Sequence, residues 1–312
     1  MKLPDAVRCL AHRQAGALSI EQLRGQGVTN GVVYRMMNDG LLRRVTRGIY
    51  ALEADSWLQM VWVAVLIGGS AAVIGGRAAA YLNDLVSTQP DEIDCYVGLN
   101  VQPRVAAGPW RFIRAHRLGR GEPPRTTNIQ TILDASKNMT DDEIAALIAQ
   151  AGRRVQSRDI LAQLAALERH PRRQALREIV GDISQGAQSA LEVRYARDVE
   201  RAHGLPPMVR QANITGYARL DGIYPRYGVI VEVDGRRYHA GIAARGDADR
   251  DNQHLLAGLV TMRFTWHQVA DYPCEVARQV GTVLKQAGWM GLTKPCRRCR
   301  VGLGVHFSFV DE

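Results

Sequence analysis

Lysine is scarce in this chain. Of 40 basic residues only Lys2, Lys137, Lys285 and Lys294 are lysines, and the remainder are arginine. Cysteine is scarce too: five in 312 residues are too few and too scattered for a disulfide framework. That excludes a small disulfide-stapled scaffold and suits a reducing cytoplasm. The start, MKLPDAVRCL, lacks the apolar stretch of a signal peptide and carries Asp5, so a cytoplasmic protein is expected. One run, residues 57–76, is long enough to span a bilayer. Gly68-Gly69 and Gly75-Gly76 interrupt it, so it reads as a buried helix, a turn and a short strand entering another helix at Arg77. No membrane partner is expected.

What is present points to a folded, multidomain protein with a polyanionic partner. Apolar residues make up 46% and charged residues 23%, an ordinary globular balance that excludes disorder. The length suits two or three domains. The net charge of +9 is carried almost wholly by guanidinium, which grips phosphate with paired hydrogen bonds. DNA is therefore the first partner to consider.

The first fifty residues carry helix signals in close order. Residues 5–13 predict a helix closed by Gly16. Ser19 with Gln22 three residues on is a capping box that opens a second helix. Thr29 is placed to cap a third helix over 30–39, with Gly40 as its left-handed stop. LLRRVTRGIYAL, residues 41–52, reads as strand, turn at Gly48 and strand. Together these make a winged helix-turn-helix. Its third helix would offer Asn30, Tyr34, Arg35 and Asn38 to the major groove, and Arg43, Arg44 and Arg47 on the wing would meet phosphates. GALSIEQL…GLLRRVTRGIYAL resembles the N-terminal domain of AbiEi-type antitoxin and transcriptional-regulator proteins, which implies DNA binding and admits a toxin as a protein partner.

Residues 56–183 read as an α/β connector. Apolar helices alternate with short strands such as IDCYVG (93–98) and WRFIRA (110–115). Arg104, Arg111, Arg114, Arg117 and Arg120 crowd into the stretch 101–125. TNIQTILDAS and TDDEIAALIAQAGRR predict consecutive helices, with Thr140 capping the second, and VQSRDILAQLAAL another. No cluster of His, Cys and carboxylate is visible there.

The chemistry concentrates in residues 184–290. A helix over 184–205, ended by Gly204 and Pro206, is followed by three strand-like runs: MVRQANI, YARLDGIY and RYGVIVEVDG. Glu232 and Asp234 stand two apart on an apolar strand, so they share a face. Burying such carboxylates is costly without a partner or a metal, and Asp221 falls in the preceding strand. Acids converging in this way suit a hard divalent cation, Mg²⁺ or Mn²⁺.

Asp221, ten intervening residues, then Glu232-Val233-Asp234 resembles the core of PD-(D/E)xK nucleases, the restriction-endonuclease fold. VIVEVDGRRYH with RDNQHLLAGLVTMRFTW is similar to the Vsr-like domains related to the very short patch repair endonuclease. The resemblance runs over residues 186–288. It implies a mixed sheet flanked by helices and a metal-dependent endonuclease site, with Glu192 as the helix acid, Asp221 as the metal aspartate and Glu232 as the strand acid. His239 matches the repair enzyme's second histidine. Arg237 and Arg250 become nucleic-acid contacts, and Arg263 lies on the following strand. Asp234 departs from the pattern, standing where most of the superfamily has lysine. Either it is a further metal ligand, with His239 as general acid or base, or the site is degenerate and the domain only binds. His254 and Leu259 depart from the family at positions that bear on packing.

Residues 291–312 form a basic tail with one CxxC, Cys296 and Cys299. Zinc needs four ligands and no second pair is near. Cys274 and His267 could complete the set only if the chain folded back, so zinc is not expected there. The whole reads as a mixed α/β multidomain protein: a winged helix over 1–55, the connector, a nuclease-like domain and the tail. Function divides between a metal-dependent DNA endonuclease and a non-catalytic DNA-binding regulator or antitoxin.

Overall fold

The computed structural model describes residues 4–52, 56–103, 108–152, 154–185, 187, 189–212, 220–234 and 252–300, the side chains of Asp234 and Arg300 excepted. It divides into two compact units. One comprises Met1–Asn138 with Gln150–Pro171, the other Met139–Ala149 with Arg172–Glu312.

The first unit opens with α1 (Asp5–Arg13), β1 (Ala17–Ser19), α2 (Ile20–Gly25), α3 (Asn30–Asn38), β2 (Arg43–Thr46) and β3 (Ile49–Ala51). The strands form an antiparallel sheet in the order β1-β3-β2. The capping box is present: Ser19 Oγ accepts from the Gln22 N–H and the Gln22 side chain accepts from the Ser19 N–H. Gly40 takes φ +71°, which lets the Leu41 N–H turn back to the Met36 carbonyl at 2.9 Å. Thr29 differs from expectation, because its side chain makes no capping bond. Its carbonyl instead accepts from the Val32 and Val33 N–H groups. Val7, Leu18, Leu23, Val33, Met36 and Leu42 pack between these elements.

Next come α4 (Trp57–Gly68), β4 (Val73–Ile74), α5 (Gly76–Leu82), β5 (Ile93–Val97) and β6 (Trp110–Arg114). The long apolar run is thus a 12-residue helix, a turn at Gly69 (φ +84°), a strand and a second helix. Val61 to Val65 are all buried, which explains why α4 is apolar all round. Among the described residues no helix is long and apolar enough to cross a membrane. In the sheet β4-β5-β6, β4 runs antiparallel and β6 parallel to β5. The crowded arginines are largely committed to protein partners. Arg111 pairs with Glu92 at 2.8 Å and Asp94 at 2.7 Å, and Arg114 Nε donates to the Val101 carbonyl. Arg117 pairs with Asp134 at 2.9 Å; Arg104 lies outside the described residues. Then follow α6 (Asn128–Ala135), α7 (Asp141–Ala151), α8 (Ser157–Ala166) and α9 (Arg173–Ser184). Thr140 Oγ1 accepts from the Glu143 N–H at the start of α7, as expected.

In the second unit, α10 (Ala190–Arg194) continues as a π-helical stretch over Tyr195–Arg201. The helix expected from residue 184 begins at Ala190 because Ser189 caps it, its Oγ accepting from the Glu192 N–H at 3.1 Å. Strands β7 (Val209–Ala212), β8 (Leu220–Tyr224) and β9 (Val229–Asp234) then form an antiparallel run. A helical segment over 252–256 leads to β10 (Val260–Thr265), which lies parallel to β9. Helices α11 (Trp266–Asp271), α12 (Pro273–Gln286) and α13 (Arg297–Arg300) follow. Val229, Val231 and Val233 pack with Tyr195, Val199, Phe264, Val280 and Leu284, so the alternation of β9 buries its valines on one side. A polar group sits within this core. Glu200 pairs with Arg210 and accepts from Tyr224 Oη and from the Met208 N–H. Burial pushes the Glu200 carboxyl up, and the Arg210 guanidinium pulls it partly back.

Candidate functional site

The exposed face of α3 is the first candidate. Asn30, Tyr34, Arg35 and Asn38 are all exposed, Tyr34 to 61%, while Val33 and Met36 are turned into the core. Helical spacing puts 30, 34 and 38 on one stripe with Arg35 beside it. Arg24, at the end of α2, joins this face with no signal in the sequence. Its Nε and Nη2 donate to Asn30 Oδ1 at 3.3 and 3.1 Å, so it orients the first residue of the stripe. The wing turns at Gly48 (φ +80°), and Arg43, Arg44 and Arg47 are exposed along it. Arg44 Nε also reaches the Thr46 carbonyl at 3.4 Å. A helix with a polar, aromatic and cationic stripe beside an arginine-bearing hairpin can seat in a groove and meet the flanking phosphates.

The carboxylate site is described in part. Asp221 Oδ2 accepts from the Val233 N–H at 3.0 Å, which sets that carboxylate against β9 between Glu232 and Asp234. Glu232 is in register with Arg263 on β10, and Asp234 with Thr265. The Asp234 side chain, Arg237, His239 and Arg250 lie outside the described residues. Glu192 is buried. Its Oε1 accepts from Ser189 Oγ at 3.0 Å and its Oε2 from Gln211 Nε2 at 2.9 Å, so it links the head of α10 to β7. His254 is also buried, with Nδ1 2.8 Å from Thr261 Oγ1. A histidine at that packing position is thus accommodated by a hydroxyl on β10.

A third constellation is only partly visible in the sequence pattern, which offers the CxxC and Cys274 but a different histidine. Among the described residues one group of His, Cys, Asp or Glu side chains converges closely: His203, Cys274, Cys296 and Cys299, whose ligand atoms all lie within 4.8 Å of one another. The expectation that the tail holds no zinc rests on a want of nearby ligands, and the fold supplies them. Cys274 does come to the CxxC. His267, its expected companion, instead pairs with Asp271 at 2.5 Å. The histidine in the group is His203, at the end of the helix that begins at Ala190.

Three helices, a three-stranded sheet and a hairpin that turns at Arg47-Gly48 are consistent with a winged-helix domain at the N-terminus. Its residues 5–52 match a family model described as transcriptional regulator, AbiEi antitoxin. No curated protein matches the chain.

Proposed function

We propose that the chain is a DNA-binding regulator of antitoxin type that reads DNA through its N-terminal winged helix. The observation that carries this reading is the joint exposure of Asn30, Tyr34, Arg35 and Asn38 on α3 beside Arg43, Arg44 and Arg47 on the wing, in a segment similar to AbiEi antitoxin regulators. The excess of arginine supplies the long-range attraction, and the α3 stripe the discrimination between bases. A toxin protein is the partner that the family description implies. The direct test is a mobility-shift titration with genomic fragments that include the protein's own promoter region. Affinity for one fragment well above that for random DNA is the expected result. Uniform weak binding, or none, removes the reading.

A second reading is supported by the second unit. Three antiparallel strands, a helical segment and a parallel fourth strand, with Asp221 set against β9, suit the mixed sheet expected of a PD-(D/E)xK nuclease. Asp221 and Glu232 provide the oxygen donors that a hard cation favours; they would hold Mg²⁺ or Mn²⁺, which when bound polarises a scissile phosphate. On this reading, incubation with supercoiled plasmid and Mn²⁺ gives nicking that Asp221→Asn abolishes without loss of winged-helix DNA binding. Intact plasmid with the wild-type protein leaves the regulator alone.

A further inference from the structure

We propose that His203, Cys274, Cys296 and Cys299 form a closed, structural Zn²⁺ site that fastens the C-terminal tail to the second unit. Three of the six separations among the ligand atoms match what a tetrahedral ion requires, and all six lie within 4.8 Å. Cys274 Sγ lies 3.6 Å from Cys296 Sγ, and Cys296 Sγ 3.7 Å from Cys299 Sγ. Cys299 Sγ lies 3.6 Å from His203 Nε2. With Zn–S bonds of about 2.3 Å and Zn–N bonds of about 2.0 Å, tetrahedral angles place two sulfurs about 3.8 Å apart and a sulfur and a nitrogen about 3.5 Å apart. A disulfide would need an S–S distance of about 2.05 Å, and a disulfide leaves the third thiol and the imidazole unexplained.

The imidazole is also oriented as a ligand. Nδ1 of His203 is 3.1 Å from the Val199 carbonyl, which can only accept, so Nδ1 carries the proton. That leaves the lone pair of Nε2 facing the sulfurs. A backbone carbonyl holding the second ring nitrogen is the usual support for a zinc-bound histidine. Three thiolates and one imidazole select Zn²⁺ over hard cations. Four protein ligands leave no open position, so the role is structural rather than catalytic.

The tail gives an independent reason for a cross-link. Residues 290–296 have no regular secondary structure and leave Met290 93% and Leu292 71% exposed. Little apolar burial holds them. Lys294 N–H donates to the His203 carbonyl at 2.8 Å, and Thr293 lies so close to Gly281 of α12 that a Cβ there would meet its Oγ1 at 2.3 Å. The segment is therefore laid across the end of one helix and the side of another. A metal drawing ligands from both and from the tail accounts for that placement. It would also fix Arg297 and Arg298, which lie between the chelating cysteines.

The test uses the full chain, reduced, incubated with Zn²⁺ and freed of excess metal. Elemental analysis is expected to give one zinc per chain. Replacement by Co²⁺ is expected to give the visible bands of a tetrahedral, thiolate-rich site. Cys296→Ser with Cys299→Ser loses both signals, and Cys9→Ser, an exposed thiol in the winged helix, retains both. In the wild type, a chelator is expected to free the chain around Arg297 and Arg298, both exposed, for rapid cleavage by trypsin. The wild-type measurements stand even if the double variant folds poorly. No stoichiometric zinc, no such Co²⁺ bands, or zinc undiminished in a folded double variant would each overturn the site.

Discussion

Asp134 shows how much one side chain can carry in the first unit. Its side chain is 1% exposed, yet it is charged, because Arg117, Lys137 and Gln130 all donate to it. Burial acts to raise its pKa, and those hydrogen bonds outweigh burial and hold it below the ordinary carboxylate value. The sign of the linkage follows. A depressed carboxyl contributes stability that is present above the unfolded value of about 3.9 and lost as pH falls through the folded value. Asp134→Asn should therefore lower stability at neutral pH and flatten its decline below about pH 4, as read by denaturant titration at several pH values. Arg117→Ala should cost about 2–3 kcal/mol, somewhat under the value for breaking a fully buried pair because Lys137 remains beside the carboxylate. If α3 reads bases as proposed, Arg35 bears on specificity instead. Arg35→Ala is expected to reduce the preference for the favoured fragment by about 10–100-fold, the worth of one good base contact. Binding to random DNA should change little. An unchanged preference would place Arg35 outside the readout.

The wing can be separated from the helix by salt. Arg43, Arg44 and Arg47 are proposed phosphate partners, so replacing all three by alanine should lessen the log–log salt slope by about 0.9 for each phosphate no longer neutralised. The ratio of specific to random binding should hold. A slope identical to that of the wild type would mean that these arginines touch no phosphate. The winged helix is legible in the sequence because its determinants are local: Ser19 with Gln22, Gly16, Gly40 and Gly48 each act within a few residues of themselves. The strands of the second unit are legible for a like reason, since β9 is an apolar run whose last four residues alternate valine with carboxylates. The Cys₃His group is not. His203 and Cys299 are 96 positions apart in the chain, and no spacing rule connects a helix end, a helix start and a tail. Arg24 is hidden in the same way, because its role depends on how α2 ends beside Asn30. Arg111 and Arg117 stand without adjacent acids in the sequence, but they have acidic partners that only the fold brings to them.

At the scale of the chain, the two compact units are not two consecutive stretches. Residues Met139–Ala149 belong with the second unit, and Gln150–Pro171 belong with the first. Any single cut between residues 138 and 172 therefore removes part of one unit or the other. The first unit would lose α8, whose Ile160 and Leu164 are buried, and His170, which bonds to the Leu133 carbonyl at 2.8 Å. Burying an aliphatic side chain contributes about 1.5–3 kcal/mol, and two such residues are a large share of the stability of a domain. The second unit would lose Asp141 and Asp142. Arg172 and Arg197 both pair with Asp141, and Arg194 pairs with Asp142. All three guanidiniums are partly buried, so removing the acids would leave cations with diminished partners. Fragment 1–171 should accordingly melt higher than fragment 1–138, and fragment 139–312 higher than fragment 172–312. Circular dichroism melts of the four fragments would measure both differences. Equal melting temperatures within either pair would show that the interleaved segments contribute nothing to the unit they complete.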